Sequence, residues 1–187
     1  ETPEAVPDAV PGVRDVATPA KDWTLERAVR TPAFWIVALS FFANAMLGTG
    51  LYFHMVDIFQ SRGLAPEVAA AVYVPISITS ALIRLASGYL ADRVPMRYLM
   101  AASMVMLTSV MVMALLLNSV PLALLYGVIM GINGGIQQTV GGVIWAAYFG
   151  RRHLGAIAGL ASTVSVIGSA LGPLPLGLAR DLLGSYN

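Results

Sequence analysis

Residues Tyr73 to Arg97 read YVPISITSALIRLASGYLADRVPMR. An apolar segment carries one arginine, Arg84, well inside it, then breaks into the polar turn GYLADRVPMR before the next apolar segment begins. An isolated guanidinium in hydrocarbon costs about 2.5–3.5 kcal/mol on insertion scales, so such a residue usually faces protein or water and often has a task. Two readings of Arg84 stay open. It lies about 9 Å of helical rise from Leu90, close enough to snorkel toward the headgroups or to pair with a structural acid. Alternatively it binds a carboxylate, for which a planar, bidentate donor in a low-dielectric cavity is well suited.

The chain around this stretch is of the membrane class. Of its 187 residues, 57% are hydrophobic and 11% charged, against about 25% charged in a soluble domain. With no cysteine, disulfides, thiolate metal sites and cysteine nucleophiles are excluded. His54 and His153 lie too far apart in sequence to suggest a metal-ligand cluster. There is no G-x-S-x-G, no phosphate loop and no carboxylate pair inside an apolar run. The expectation is therefore no enzyme, no metal and no cofactor. The cations are dispersed, so nucleic acid is not an expected partner.

Residues 1–21 hold Pro3, Pro7, Pro11 and Pro19 among small and acidic residues, a composition that predicts a disordered linker. Residues 22–31 predict a short amphipathic interfacial helix opened by Asp22 or Thr24. Five apolar runs follow, near Ala33–Ile58, Val68–Leu90, Tyr98–Leu117, Leu122–Ala147 and Leu154–Leu178. Each is long enough to cover about 30 Å of hydrocarbon as a helix, and in lipid only helices or closed barrels satisfy the backbone. The fold class is thus an all-α, polytopic membrane bundle spanning 32–187, its short connections making neighbours antiparallel. Arg27, Arg30, Arg93, Arg97, Arg151 and Arg152 gather at one end, which the positive-inside rule places in the cytoplasm together with the linker. The expected setting is a cell membrane of the bacterial inner-membrane kind, with the lipid bilayer as partner.

Helical spacing gives four runs a polar stripe. The first carries Ser40, Asn44, Gly48, Tyr52 and Met55; the second Tyr73, Ser77, Ser80 and Arg84. The fourth carries Tyr126, Met130, Asn133, Gln137 and Gly141; the fifth Ser162, Ser165 and Ser169. The third is methionine-rich, and its few hydroxyls can bond their own backbone, which predicts a peripheral helix. Four striped helices suggest a bundle around an aqueous cavity. Glycines four apart, at Gly127, Gly131 and Gly135, at Gly155 and Gly159, and at Gly168 and Gly172, predict close helix approach. Pro75, Pro173 and Pro175 predict kinks. Trp35 and Trp145 read as interface anchors.

The turn Gly88-Tyr-Leu-Ala-Asp92-Arg93-Val-Pro-Met-Arg97 resembles the signature G-x-L-x-D-R-x-x-x-R of the major facilitator superfamily. That turn joins the family's second and third helices and recurs in weaker form between the eighth and ninth. A linker followed by five runs resembles helices seven to eleven, most of one six-helix half, with the last helix missing. The implied partner is the N-terminal six-helix half of the same protein. Gly168-Ser-Ala-Leu-Gly172-Pro173 is similar to a signature that family exporters carry in helix five, but stands at the repeat-related place in helix eleven. The linker end WTLERAVRTPAFW, Arg84 four residues before Gly88, and FGRRHLG resemble the monocarboxylate and oxalate/formate branch, where the eighth-helix arginine binds the substrate carboxylate. Two departures matter. Ser80 stands where that branch often has a proton-coupling aspartate, and Ala156 to Leu178 contains no cation where oxalate exchangers have a lysine. The second favours a monoanion, since a dianion would meet one fixed positive charge from this half.

The resemblance implies a secondary transporter of small organic anions, coupled to H⁺ or working by exchange. Arg84, Ser80, Asn44, Tyr52, Asn133 and Gln137 are the candidate substrate-binding residues. Gly88, Asp92, Arg93 and Arg97 are candidates for a conformational gate, and His54 and Asp57 for proton coupling. Two other readings remain: an exporter of amphipathic drugs, and a sensor or receptor on a transporter-like scaffold.

Overall fold

The structure, a computed structural model, describes residues 22–183, with side chains to Leu178. The expected linker, 1–21, lies outside the described residues. So do the side chains near the end of the chain, including Arg180.

The described residues form eight α-helices: α1 (Leu25–Val29), α2 (Pro32–Phe53), α3 (Met55–Ser61), α4 (Pro66–Ala91), α5 (Met96–Leu116), α6 (Val120–Phe149), α7 (Leu154–Leu171) and α8 (Pro173–Leu183). Five stretches are long and apolar enough to cross a membrane: α2, α4, α5, α6 and Leu154–Leu178, which runs from α7 into α8. This is an all-α polytopic bundle. Two of the five expected runs are each divided into two helices. The first breaks at His54, between α2 and α3; the fifth breaks at Gly172, where Pro173 cannot donate the next helical hydrogen bond. In contrast, α4 passes through Pro75 unbroken.

Glycine decides which helices pair. Along α6, a Cβ placed on Gly127, Gly131 or Gly135 meets Val72 Cγ1 at 2.8 Å, Ile76 O at 2.7 Å or Ile83 Cβ at 2.8 Å. The α4·α6 seam therefore closes only because those three positions lack a side chain. A second seam joins α2 to α7 and α8. There Gly168 and Gly172 lie against the carbonyls of Phe42 and Met46, and Gly50 lies against the carbonyl of Gly172. Among the described residues nothing lies within 4 Å of a Cβ built on Gly155 or Gly159, so that pair forms no seam with them. Spacing alone does not make a seam when the stripe faces outward.

Helix α5 lies outside α6. It buries Leu99, Ser103, Leu107, Val110 and Ala114 on one face and exposes Tyr98, Val105, Val112 and Leu116 on the other. It is the helix expected to be peripheral, yet among the described residues it is as buried as α2 and more buried than α4. Its hydroxyls are not all turned on their own backbone, however: Ser103 Oγ, 3.1 Å from Met100 O, is also 3.1 Å from Gln137 Oε1 on α6.

At the basic end, Thr31 caps α2 by accepting from Phe34 N, with Pro32 in the first turn. Thr24 stands at the N-cap of α1, its carbonyl accepting from Ala28 N at 2.9 Å, but its hydroxyl makes no capping bond. Asp22 instead accepts from Arg152 N at 3.4 Å, and Trp23 N donates to Phe149 O at 3.0 Å. These two contacts tie the start of the described chain to the end of α6. Trp145 is not exposed as an anchor. It is 7% exposed, stacked on Phe149 and packed against Phe34 and Phe41. Trp35 is exposed, and its indole donates to Val29 O, joining α1 to α2.

Two apolar clusters fill the bundle. One, around Phe34, Val140, Ile144, Phe149 and Ile157, packs the basic end. The other, around Leu51, Met55, Phe59, Val72, Val110 and Tyr126, packs the opposite end. Asn44, Ser103 and Asn133 are buried but belong to neither, and lie along their helices between the two clusters.

Candidate functional site

The polar stripe of α4 opens on a groove. Ser77, Ser80 and Arg84 line it with Ile76, Ala81 and Leu85, and Gln138 of α6 closes one side. The Arg84 guanidinium donates from Nη1 to Gln138 Oε1 at 3.1 Å. Gln138 lies about 16 Å of helical rise short of Phe149 at the basic end, so the bond holds the cation across the α4·α6 seam rather than letting it snorkel to that end. Thr139 Oγ lies 3.3 Å from the Arg84 carbonyl, a second tie across the seam. Among the described residues no carboxylate lies within ion-pair distance of Arg84. The guanidinium is exposed to the groove, and among the described residues its side-chain partner is a neutral amide. A cation so placed is equipped to take an anion.

A second cavity, of about 290 Å³, lies between α2, α5 and α6. Asn44, Tyr52, Asn133 and Gln137 all line it, as do Gly48, Leu107, Val110 and Met130. Asn133 Nδ2 donates to Asn44 Oδ1 at 3.0 Å. The other ends of this pair, Asn44 Nδ2 and Asn133 Oδ1, are buried with no hydrogen-bond partner. Tyr52 stacks on Tyr73 of α4 with ring centroids 6.1 Å apart, joining α2 to α4. Gln138 lines both the cavity and the Arg84 groove. The candidate binding residues thus fall into two adjoining places: Ser80 and Arg84 in the groove, Asn44, Tyr52, Asn133 and Gln137 in the cavity.

The gating candidates sit in the turn between α4 and α5. Asp92 ends α4 and is exposed. Arg93 lies over the Tyr89 ring at 4.2 Å and Arg97 over the Tyr98 ring at 5.0 Å. Among the described residues neither arginine is within ion-pair distance of Asp92. Gly88 is exposed, with nothing within 4 Å of a built Cβ. His54 sits at the α2–α3 break, its Nε2 3.1 Å from Pro173 O at the α7–α8 break and its Nδ1 3.9 Å from Asp57 Oδ2. The proton-coupling candidates therefore touch the point where both broken helices change course, far along the chain from Arg84.

A sequence model described as Major Facilitator Superfamily matches residues 1–175. The chain belongs to the major facilitator superfamily. Two curated relatives, each called "Putative multidrug resistance protein MdtD", come from Salmonella paratyphi B and Salmonella heidelberg. Each is 28% identical over 139 residues, covering 74% of this chain and 30% of the relative. The chain thus spans less than a third of the length of the relatives it matches.

In this major facilitator chain two residues of the site escape a stripe-by-stripe reading: Gln138, which lines both places, and Ser103, which lines neither but lies 3.1 Å from Gln137 Oε1. Gln138 falls off the stripe on which Gln137 stands with Asn133. Its signal is the glycine seam: Gly131, Gly135 and Gln138 follow spacings of four and three, so Gln138 continues the face turned to α4. Ser103 carries no comparable signal, because one serine in an apolar helix usually bonds its own carbonyl.

Proposed function

We propose that the chain is part of a secondary transporter of small organic anions of the monocarboxylate kind, driven by H⁺ or by exchange. It forms helices seven to eleven of a twelve-helix protein whose N-terminal half closes the other side of the groove. Transport proceeds by alternating access, the two halves rocking about a midplane site. Arg84 is the carboxylate ligand, and one fixed positive charge suits a monoanion. The basic end faces the cytoplasm of a cell membrane, in keeping with the positive-inside rule. The observation that carries the reading is Arg84 itself, held in a groove by a neutral amide with no described carboxylate in reach. An intramembrane charge without a counter-charge is costly, and a bound carboxylate supplies one.

The test is uptake of radiolabelled monocarboxylates by proteoliposomes holding the full-length protein. Arg84→Gln and Arg84→Lys should lose at least about 90% of uptake at equal incorporation, since a charge-assisted bidentate pair is worth about 1.5–3 kcal/mol or more. Wild-type uptake in both variants refutes the assignment. A second reading, export of amphipathic drugs, has its own support. The relatives are named for multidrug resistance, and Phe41, Trp145, Ser162 and Ser165 line a separate cavity between α2, α6 and α7. On that reading the Arg84 variants still move neutral compounds. His54 and Asp57 are the coupling residues we assign, and Asp92, Arg93 and Arg97 the gate, with Asp92 pairing with a basic residue in the other conformation.

A further inference from the structure

We infer, resting on the anion-carrier reading above, that the cavity between α2, α5 and α6 receives the uncharged polar end of the carried acid. The substrate is then a monocarboxylate with a terminal amide or hydroxyl. Three observations carry this.

The first is the unfinished hydrogen bonding of Asn44 and Asn133. Each is 7% exposed, and both line the cavity. One bond joins them, leaving one amide donor and one amide acceptor without partners. Exchanging O and N in both amides reverses the bond but again leaves one donor and one acceptor, so the deficit does not depend on amide orientation. Buried amide groups are normally satisfied. A group that accepts and donates side by side, such as a primary amide or a hydroxyl, completes this pair. A methyl group does not.

The second is continuity. Gln138 belongs to both the cavity and the groove, and it is the residue bonded to Arg84. A molecule with its carboxylate on Arg84 therefore passes Gln138 on the way to the asparagines.

The third is length. Asn133 precedes Gln138 on the same helix by about 7.5 Å of rise. An extended chain advances about 1.2 Å per bond, so roughly six bonds separate the two polar ends. That corresponds to an acid of about five carbons counted from the carboxylate to the far polar group. Leu107, Val110 and Met130 supply the apolar wall beside such a chain.

The test is equilibrium binding to the purified full-length transporter in nanodiscs, with pentanoate, 5-hydroxypentanoate and glutaramate as probes. The expected result is a Kd for glutaramate and 5-hydroxypentanoate about tenfold or more below that of pentanoate, because a site built to hydrogen-bond a group discriminates against an analogue lacking it. In the double variant Asn44→Leu/Asn133→Leu, which removes both amides together and orphans neither, that advantage should vanish. Arg84→Gln should weaken all three acids. Equal Kd values for the three acids in the wild type, with Arg84 still required, overturn the amide subsite and leave the anion carrier standing. A preference that persists in the double variant also overturns it. Failure of every acid to bind, or binding indifferent to Arg84→Gln, overturns the carrier reading and this one with it. Should the double variant not insert, the wild-type ranking still decides.

Discussion

Gly135→Ala tests whether the candidate site depends on the α4·α6 seam. The added Cβ would lie 2.8 Å from Ile83 Cβ and 2.8 Å from Ser80 O. Neither atom is the free end of a flexible side chain, so relief requires α4 and α6 to part. Ordinary contact begins near 3.4 Å, so the seam must open by about 0.6 Å, well inside the steep part of the contact potential. Overpacking of this kind costs about 1–3 kcal/mol, and the better helix propensity of alanine returns about 1 kcal/mol. The net loss is about 1 kcal/mol, or a fall in Tm of about 2–4 °C for a chain of this size. The same opening stretches the 3.1 Å bond from Arg84 to Gln138 and the 3.3 Å contact from Thr139 to the Arg84 carbonyl. Carboxylate affinity should therefore drop along with Tm. Gly159→Ala is the control: nothing lies within 4 Å of its Cβ, so only the propensity gain remains and Tm rises slightly. Thermal unfolding followed by intrinsic fluorescence in nanodiscs, with binding measured on the same samples, reads both. A Gly135→Ala protein as stable as Gly159→Ala would mean that the seam is not the rigid element supposed here.

Other changes separate further parts of the structure. Trp145→Ala should cost about 3–5 kcal/mol, since the ring is buried against Phe34, Phe41 and Phe149; a loss under about 1 kcal/mol in denaturation would return it to the role of a lipid anchor. Thr31→Ala removes the cap of α2 and should lower stability by about 1 kcal/mol in the same assay. Gln138→Leu removes the group orienting the guanidinium and should raise the KM for a carboxylate about fivefold with little change in kcat; an unchanged KM would show that Gln138 merely parks Arg84. His54→Gln should abolish stimulation of uptake by an inward proton gradient while exchange without a gradient persists, and retained stimulation would remove His54 from the coupling path.

How far the residues announced this structure differs from one feature to the next. The number of spans and the helical class were legible because hydrocarbon leaves the backbone no alternative, and the five apolar runs are long. The breaks were only half legible. Pro173 announces the one at Gly172, but nothing local announces the one at His54; it faces Pro173 O across the α2·α7 pairing, a contact that exists only after the helices meet. Periodicity also misjudged surfaces. Trp145 has the composition of an interface anchor, yet three aromatic neighbours bury it, and Gly155–Gly159 has the spacing of a seam without a partner among the described residues. A stripe gives a direction on one helix, whereas burial depends on what the other helices bring to it.

For the site, the same limit explains why its parts were named but not its arrangement. Arg84, Ser80, Asn44, Tyr52, Asn133 and Gln137 each stand out on their own helix, and the structure distributes them over two tightly sealed pairs, α4 with α6 and α2 with α7. Within each pair, glycine lets backbones touch, and such contacts shear or stretch only at high cost. Between the pairs the packing is looser, and there the Asn133–Asn44 hydrogen bond and the Tyr52–Tyr73 stack cross from one to the other. Of the two cavities that Gln138 lines, the one holding the asparagines lies on this junction, between α2 and α6, and the Arg84 groove adjoins it on the α4·α6 side. A ligand completing the asparagine pair therefore acts where the bundle is softest, between elements that are themselves rigid. Its binding energy can shift how the pairs sit against each other without disturbing either seam. That division of stiffness is what a molecule needs if a small acid is to bias it between two conformations.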